Sequence, residues 1–234
     1  MSRVSNTRPR SAHFTVMRRV AVIAITLGCA PVIAQSPAAK TEPTATTAAA
    51  AVTAVVTYAQ RYAQSCAACH GTKGEGAANL APALAGQPSF YAITQLFLFK
   101  NGRRTNEAML AIAKDFSNDD LRGFSDFIGK LPALDAAPAA GNVDANRIAE
   151  AGALVARHQC HGCHGADLAG AAQVPRLAGQ HEDYLQRVLS EFRTGQRLGY
   201  TSAMNEALAG LDAKALDALA YYLARFRPTQ KASP

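Results

Sequence analysis

Cys66-Ala67-Ala68-Cys69-His70 is the stretch on which the reading of this chain turns. Two thiols three residues apart on a helical turn can each add to one vinyl group of a single porphyrin, and the imidazole one position later falls under the iron. C-x-x-C-H is accordingly the attachment signature of a c-type haem. The pattern returns at Cys160-His161-Gly162-Cys163-His164. A four-cysteine zinc site is the competing use of such pairs. Zinc ribbons, however, space them about 15–20 residues apart, far less than the separation of Cys66 from Cys160. The expectation is two covalent haem c groups, one on Cys66 and Cys69 and one on Cys160 and Cys163, with His70 and His164 as the proximal iron ligands.

Outward from these motifs the sequence repeats itself. Pro82-Ala83-Leu84-Ala85-Gly86-Gln87 returns as Pro175-Arg176-Leu177-Ala178-Gly179-Gln180, and a tyrosine, Tyr91 or Tyr184, lies nine residues past each proline. Phe99-Lys100-Asn101-Gly102 returns as Phe192-Arg193-Thr194-Gly195, and Met109 lies 39 residues after His70 as Met204 lies 40 after His164. Self-similarity over so long a period means one folding unit used twice. Within each unit the pattern is helical. A helix runs from about residue 54 to Cys66. Then come a loop with Gly71, Gly74 and Gly76 and a helix opened by Ser89 and closed by Gly102. A loop carries Met109. Ser117 to Asp120 form a capping box for a helix burying Leu121, Phe124, Ile128 and Leu131, stopped by Pro132. In the second unit Asp212 caps the last helix, Leu216, Leu219 and Leu223 line its buried face, and Pro228 ends it. The fold class is all-α, with haem domains at 54–132 and 142–228, a linker at 133–141 and a tail at 229–234.

The N-terminus reads as an export signal over residues 1–34, with translation starting at Met1 or Met17. Met17-Arg18-Arg19 is a short basic region and Val20 to Ala34 an apolar run, with a small-residue cleavage site after Ala34. Residues 35–53 form a low-complexity Ala/Thr leader. The chain is expected in the periplasm, with a membrane-anchored form as the alternative if the signal stays uncleaved. Residues 1–35 hold five Arg and no acid, so their removal takes the charge from +7 to about +2. The basic balance belongs largely to the targeting segment and is no argument for nucleic acid as a partner. Four Cys then remain, all in C-x-x-C-H. No thiol is spare for a disulfide, a nucleophile or an axial ligand.

Each half is left with one methionine at nearly the same offset from its histidine, so Met109 and Met204 are the candidates for the sixth iron ligand rather than core filling. A thioether favours the reduced iron and raises its potential, and an iron held by His and Met has no vacant position for a substrate. The competing ligands are His158 and His161, both badly placed beside the cysteines, and His181, whose counterpart in the first half is Pro88. Pro82 and Pro175 are either loop punctuation or the carbonyls that hold each proximal His. Tyr91 and Tyr184 are core aromatics or donors to a haem propionate. Lys100, Arg103 and Arg104, with Arg193 and Arg197, form matching basic clusters. They read as solvated helix ends, as propionate partners (Arg103 and Arg197), or as a docking rim for an acidic partner.

On these motifs, over roughly residues 54–227, the chain resembles the soluble dihaem cytochromes c of bacteria, cytochrome c4 in particular. The resemblance implies two class I cytochrome c domains related by pseudo-twofold symmetry, with haem edges close together and propionates near the interface. It also implies a periplasmic electron carrier of the respiratory chain. Its partners would be redox proteins, a dehydrogenase as donor and a terminal oxidase as acceptor. A monomer, at most loosely membrane-associated, is expected. The family tends to place a Gly eight residues before the first Cys and an aromatic four before it. The second half has Gly152 but Ala156, and the first has Tyr62 but Tyr58 at the Gly position, so unusual packing is expected where the first and last helices cross. A cytochrome subunit of a larger dehydrogenase, such as a flavin-dependent sulfide-oxidising complex, is the alternative. A dihaem peroxidase or a thiosulfate-oxidising enzyme needs an exchangeable iron, which a Met for each haem argues against.

Overall fold

Each half enters its C-x-x-C-H turn from a helix that its own sequence caps. Thr57 opens α1 (Tyr58–Ser65): its hydroxyl accepts from the Gln60 N–H while Gln60 Oε1 accepts from the Thr57 N–H at 2.8 Å, a reciprocal pair that satisfies donors otherwise orphaned at a helix start. In the second half Asp144 caps α6 (Ala145–Arg157) by accepting from Asn146 and Arg147 N–H. The structure, a computed structural model, describes residues 56–133, 143–200 and 202–228. The signal, the leader, the linker beyond Ala133 and the tail lie outside the described residues.

After α1 the first half continues as α2 (Ala67–His70), α3 (Ser89–Lys100), α4 (Glu107–Ala113) and α5 (Asn118–Ile128). The second repeats the order after α6 as α7 (Cys160–His164), α8 (Glu182–Arg193), α9 (Ala203–Leu208) and α10 (Ala213–Arg225). Among the described residues no strand forms, only isolated bridges between Ala77 and Ala81 and between Ala171 and Val174. The fold is all-α, as the periodicity implied.

Helices α1 and α3 pack on α5, and α6 and α8 pack on α10. Leu121, Phe124 and Ile128 stand at helical spacing on one face of α5 and join Tyr62 and Leu96 in the first core. Val155, Leu185, Leu189, Leu216 and Leu219 build the second. Cys66 and Met109 both pack against the first core, and Cys160 and Met204 against the second. Each core therefore carries its own thiol and thioether at its edge.

Some helix limits differ from the sequence expectation. Helix α5 stops at Ile128 rather than at Pro132, and at the following Gly129 a Cβ would lie 2.7 Å from the Ser89 Cβ. There the end of α5 abuts the start of α3. Leu131, beyond the helix, still packs against the core from outside it. Helix α10 likewise ends at Arg225, before Pro228. Met109 and Met204 are not in loops but in the first turns of α4 and α9, and Asn106 Oδ1 accepts from the Met109 N–H at 3.0 Å. A cap on so short a helix fixes the methionine's backbone.

A reciprocal pair of glutamines joins the halves. Gln87 Nε2 donates to the Arg176 carbonyl at 3.0 Å and its Oε1 accepts from the Arg176 N–H at 3.1 Å. Gln180 does the same to Ala83, at 2.9 and 2.8 Å. Ala83 and Arg176 each follow the proline of P-x-L-A-G-Q, so the two contacts are related by the repeat itself.

Candidate functional site

The histidine of each motif is buried and held from behind. His70 Nδ1–H donates to the Pro82 carbonyl at 2.9 Å, and His164 Nδ1–H to the Pro175 carbonyl at 2.9 Å. With Nδ1 committed as a donor, the neutral ring keeps its lone pair on Nε2. Burial lowers both imidazole pKa values against the opposing pull of the proline carbonyls, and Arg104 lowers that of His70 further. The proline segments lie so close that only glycine fits behind them. A Cβ on Gly76 would come 2.6 Å from the Pro82 carbonyl carbon, and one on Gly170 would come 2.4 Å from that of Pro175. Both glycines have positive φ, and their N–H groups donate to the carbonyls of His70 and His164 at 2.8 and 2.9 Å.

One cleft in the first half gathers Cys66, Cys69, His70, Pro82, Tyr91 and Met109, and Tyr184 and Arg197 of the second half close its far end. The four motif cysteines form no disulfide. Burial pushes the Cys66 thiol up to about 11 although Arg61 opposes it, and burial also raises Cys160. Cys69 and Cys163 are exposed. In the second half, Pro175 holds His164 while Cys160 and Met204 share one core.

None of the rival histidines lines this cleft. His158 Nδ1 pairs with the Ala207 carbonyl at 3.0 Å and His161 Nδ1 with that of Gly165 at 3.1 Å. His181 Nε2 pairs with the Glu75 carbonyl at 3.0 Å, across to the other half.

The end of the cleft between the halves is polar. Arg104 donates to Gln95 Oε1 at 2.7 Å and to the Tyr184 hydroxyl at 2.9 Å, Tyr200 also donates to Gln95 Oε1, and Arg197 pairs with Glu191 at 2.6 Å. Burial raises the Tyr91 pKa. For Tyr184 burial acts in the same direction but is outweighed by Arg104 and Arg197, so its pKa falls. Burial would lower that of Arg197, but Tyr184, Tyr200, Tyr91 and Glu191 around it raise it on balance. Arg104, not Arg103, is the arginine that lines the cleft, and Arg103 is exposed. The turn at Gly102, where Arg103 and Arg104 N–H both donate to the Leu98 carbonyl, sets this register. Counting two residues from each repeat glycine, Gly102 and Gly195, pairs Arg104 with Arg197 and identifies it from sequence. Gln95 has no such signal, since Val188 is its counterpart.

The residues present fit a haem. A porphyrin carries an apolar face and two carboxylates, and the cleft is lined by apolar groups such as Leu96, Phe99, Ile112 and Phe124, with Gln95 and Arg197 at its polar end. The buried Gln95 Nε2 and Arg197 Nε have no partner within the protein. Unpaired buried donors of this kind call for an acceptor. Twice-used helical units built on C-x-x-C-H define a dihaem c-type cytochrome.

The comparisons narrow the class. Residues 53–128 match the family described as cytochrome c oxidase, cbb3-type, subunit III, and residues 149–226 match cytochrome c. Cytochrome c4 of Pseudomonas aeruginosa is 31% identical over 175 residues, covering 70% of this chain and 85% of the relative. The crystal structure of reduced cytochrome c4 from Pseudomonas stutzeri superposes with a TM-score of 0.64 at 28% identity, over 73% of this chain and 97% of that one. The thiosulfate dehydrogenase electron acceptor of Stutzerimonas stutzeri is 36% identical over 143 residues, 58% of this chain and 66% of the relative. The chain belongs to the cytochrome c4 family. It is an electron-transfer protein with two covalent haem c groups.

Proposed function

We propose that each iron is held between a histidine and a methionine, His70 with Met109 and His164 with Met204. Thioether bonds would run to Cys66, Cys69, Cys160 and Cys163. The chain would carry electrons in the periplasm from a respiratory dehydrogenase to a terminal oxidase. The observation that carries this reading is the gathering of Cys66, Cys69, His70 and Met109 on one cleft. Bound haem supplies a one-electron couple. The Pro82 and Pro175 carbonyls fix the tautomer of each histidine and raise its basicity. Arg104 and Arg197 would neutralise the haem carboxylates, and the hydroxyls of Tyr91 and Tyr184 would donate hydrogen bonds to them. Arg103 and Arg193, exposed beyond the cleft, serve as a docking rim for an acidic partner. Export by residues 1–34, which include Cys29, accords with the remaining four cysteines all lying in C-x-x-C-H, and no helix among the described residues is long and apolar enough to cross a membrane.

The oxidised protein is expected to show the weak near-infrared band of Met–Fe(III) ligation from both haems. Its absence would end the two-methionine assignment. Met204→Ala should remove the band from one haem, open that iron to carbon monoxide and lower its potential, because the thioether favours the reduced state. An unchanged potential would remove Met204 from the iron.

A second reading for the donor rests on the relative named as an electron acceptor of thiosulfate dehydrogenase. In that case the chain accepts electrons from a sulfur-oxidising dehydrogenase. Purification from the native membrane separates the two by the donor that accompanies the chain: a thiosulfate-oxidising dehydrogenase favours the second, a respiratory dehydrogenase the first.

A further inference from the structure

We propose that Gln180 and Gln87 are positioning residues for the iron ligand of the opposite half: Gln180 tunes His70, and Gln87 tunes His164. The proposal rests on the reading above in which those histidines bind the irons. The Pro82 carbonyl and the Ala83 N–H are two ends of one peptide plane. The carbonyl accepts from His70 Nδ1–H at 2.9 Å, and the N–H donates to Gln180 Oε1 at 2.8 Å. The second half mirrors this, with Pro175 accepting from His164 at 2.9 Å and the Arg176 N–H donating to Gln87 Oε1 at 3.1 Å. Hydrogen bonds at both ends of an amide polarise it cooperatively, by roughly 10–30% per bond. An N–H that donates leaves more negative charge on the carbonyl oxygen, and that oxygen then pulls harder on Nδ1–H. The imidazole gains imidazolate character and basicity, which favours the oxidised iron.

The orientation of each glutamine is fixed by its other end. Gln180 Nε2 donates to the Ala83 carbonyl at 2.9 Å and Gln87 Nε2 to the Arg176 carbonyl at 3.0 Å, so each Oε1 must face the N–H. Both glutamines are buried, at 5% and 7% exposure, and the low local dielectric strengthens the coupling. A glutamine that only glued the halves together would have no reason to address the one peptide that holds a histidine, and both do. The seam between the halves is thereby also the element through which each half sets the other's histidine.

The test uses full-length holoprotein with each haem followed by its own resolved signals. Gln180→Leu should shift the reduction equilibrium of the haem on His70 towards the reduced state by two- to fivefold, roughly 20–40 mV at 59 mV per tenfold. The His70 Nδ1–H resonance of the reduced protein should move upfield, and the haem on His164 should change less. Gln87→Leu should give the mirrored result. Unchanged potentials, or shifts confined to the haem of the variant's own half, would overturn the proposal. If the leucine variants do not fold, the reduced wild-type protein should still show scalar coupling through the hydrogen bond between the Ala83 amide nitrogen and the Gln180 side-chain carbonyl, and its absence would overturn it. Failure of the axial reading is seen separately, in a wild-type spectrum without the signature of histidine–methionine ligation.

Discussion

Where the first and last helices cross, the two halves leave the gap on opposite sides. In the first half α1 brings Tyr58 and Tyr62, whose rings lie 5.2 Å from Phe124 and 4.8 Å from Phe127. The gap is on α5, at Gly123, where a Cβ would fall 2.0 Å from Tyr58 Cε2. In the second half the gap is on the entering helix, at Gly152, with Ala156 one turn on, and the bulk comes from Tyr222 of α10. A Cβ on Gly152 would stand 3.6 Å from the Tyr222 ring, an ordinary contact. The departure of Tyr58 from the family pattern is thus matched by Gly123 on the facing helix. A close helix crossing needs a small residue at the contact, and either partner can supply it.

The largest test makes the first crossing imitate the second. Tyr62→Ala places at position 62 the residue that Ala156 supplies in the other half. Tyr62 is 1% exposed and its hydroxyl donates to the Gly71 carbonyl, next to His70, at 3.0 Å. With the Tyr62 ring packed on Phe127, the expected loss is about 3–5 kcal/mol by denaturant titration, the range for a buried aromatic cut to alanine. A loss below about 1 kcal/mol would mean that the crossing repacks freely and that the two arrangements are interchangeable.

The glycines should then respond with opposite signs. Alanine gains about 1 kcal/mol over glycine in a helix interior. Gly152→Ala is expected to collect that gain, up to about 1 kcal/mol, because its Cβ meets nothing closer than van der Waals distance. Gly123→Ala must displace the Tyr58 ring from Phe124, and overpacking of this kind costs about 1–3 kcal/mol, leaving a net loss of up to about 2 kcal/mol after the propensity gain. Thermal melts of the two variants side by side decide it. Shifts of the same sign would dissolve the contrast.

Much of this was legible in the sequence because it repeats locally. The two motifs, the proline segments and the order of helices follow from spacings that any short stretch displays. What escaped is set by contacts distant in sequence. Gln87 and Gln180 were visible as parts of a repeated segment, but their partners are backbone groups of the other half, and a backbone partner leaves no mark on composition. Gln95 sits mid-helix and has no repeat counterpart, so nothing but the folded seam identifies it as buried beside Arg104. Met109 and Met204 were expected in loops because helices of seven and six residues carry too little periodicity to register. Nucleation makes such short helices unstable alone, and it is the Asn106 cap and the core beneath that hold α4.

The first crossing should also answer to acid. The first crossing contains an ion pair, Arg61 with Asp120, and Asp120 doubles as the box partner of Ser117. The corresponding positions of the second half, counted from its cysteine and its methionine, are Val155 and Ala215, both apolar. The hydrogen bond from Arg61, with those from Ser117, holds the Asp120 carboxyl at about 2, against roughly 3.9 for an unfolded chain. A folded value depressed in this way gives stability that is present above about 4 and disappears as pH falls towards 2. With the pair partly open to solvent, it is worth at most about 1 kcal/mol. Asp120→Asn is therefore expected to lower stability slightly at neutral pH and to flatten its decline between about pH 4 and 2, followed by denaturant titration at each pH. The second half, whose first and last helices are joined at another position by Arg147 and Asp217, should be indifferent to the substitution. An unaltered slope in that window would show that Arg61 and Asp120 are neighbours without coupling. The acid sensitivity of the first half would then have to come from carboxylates away from the crossing.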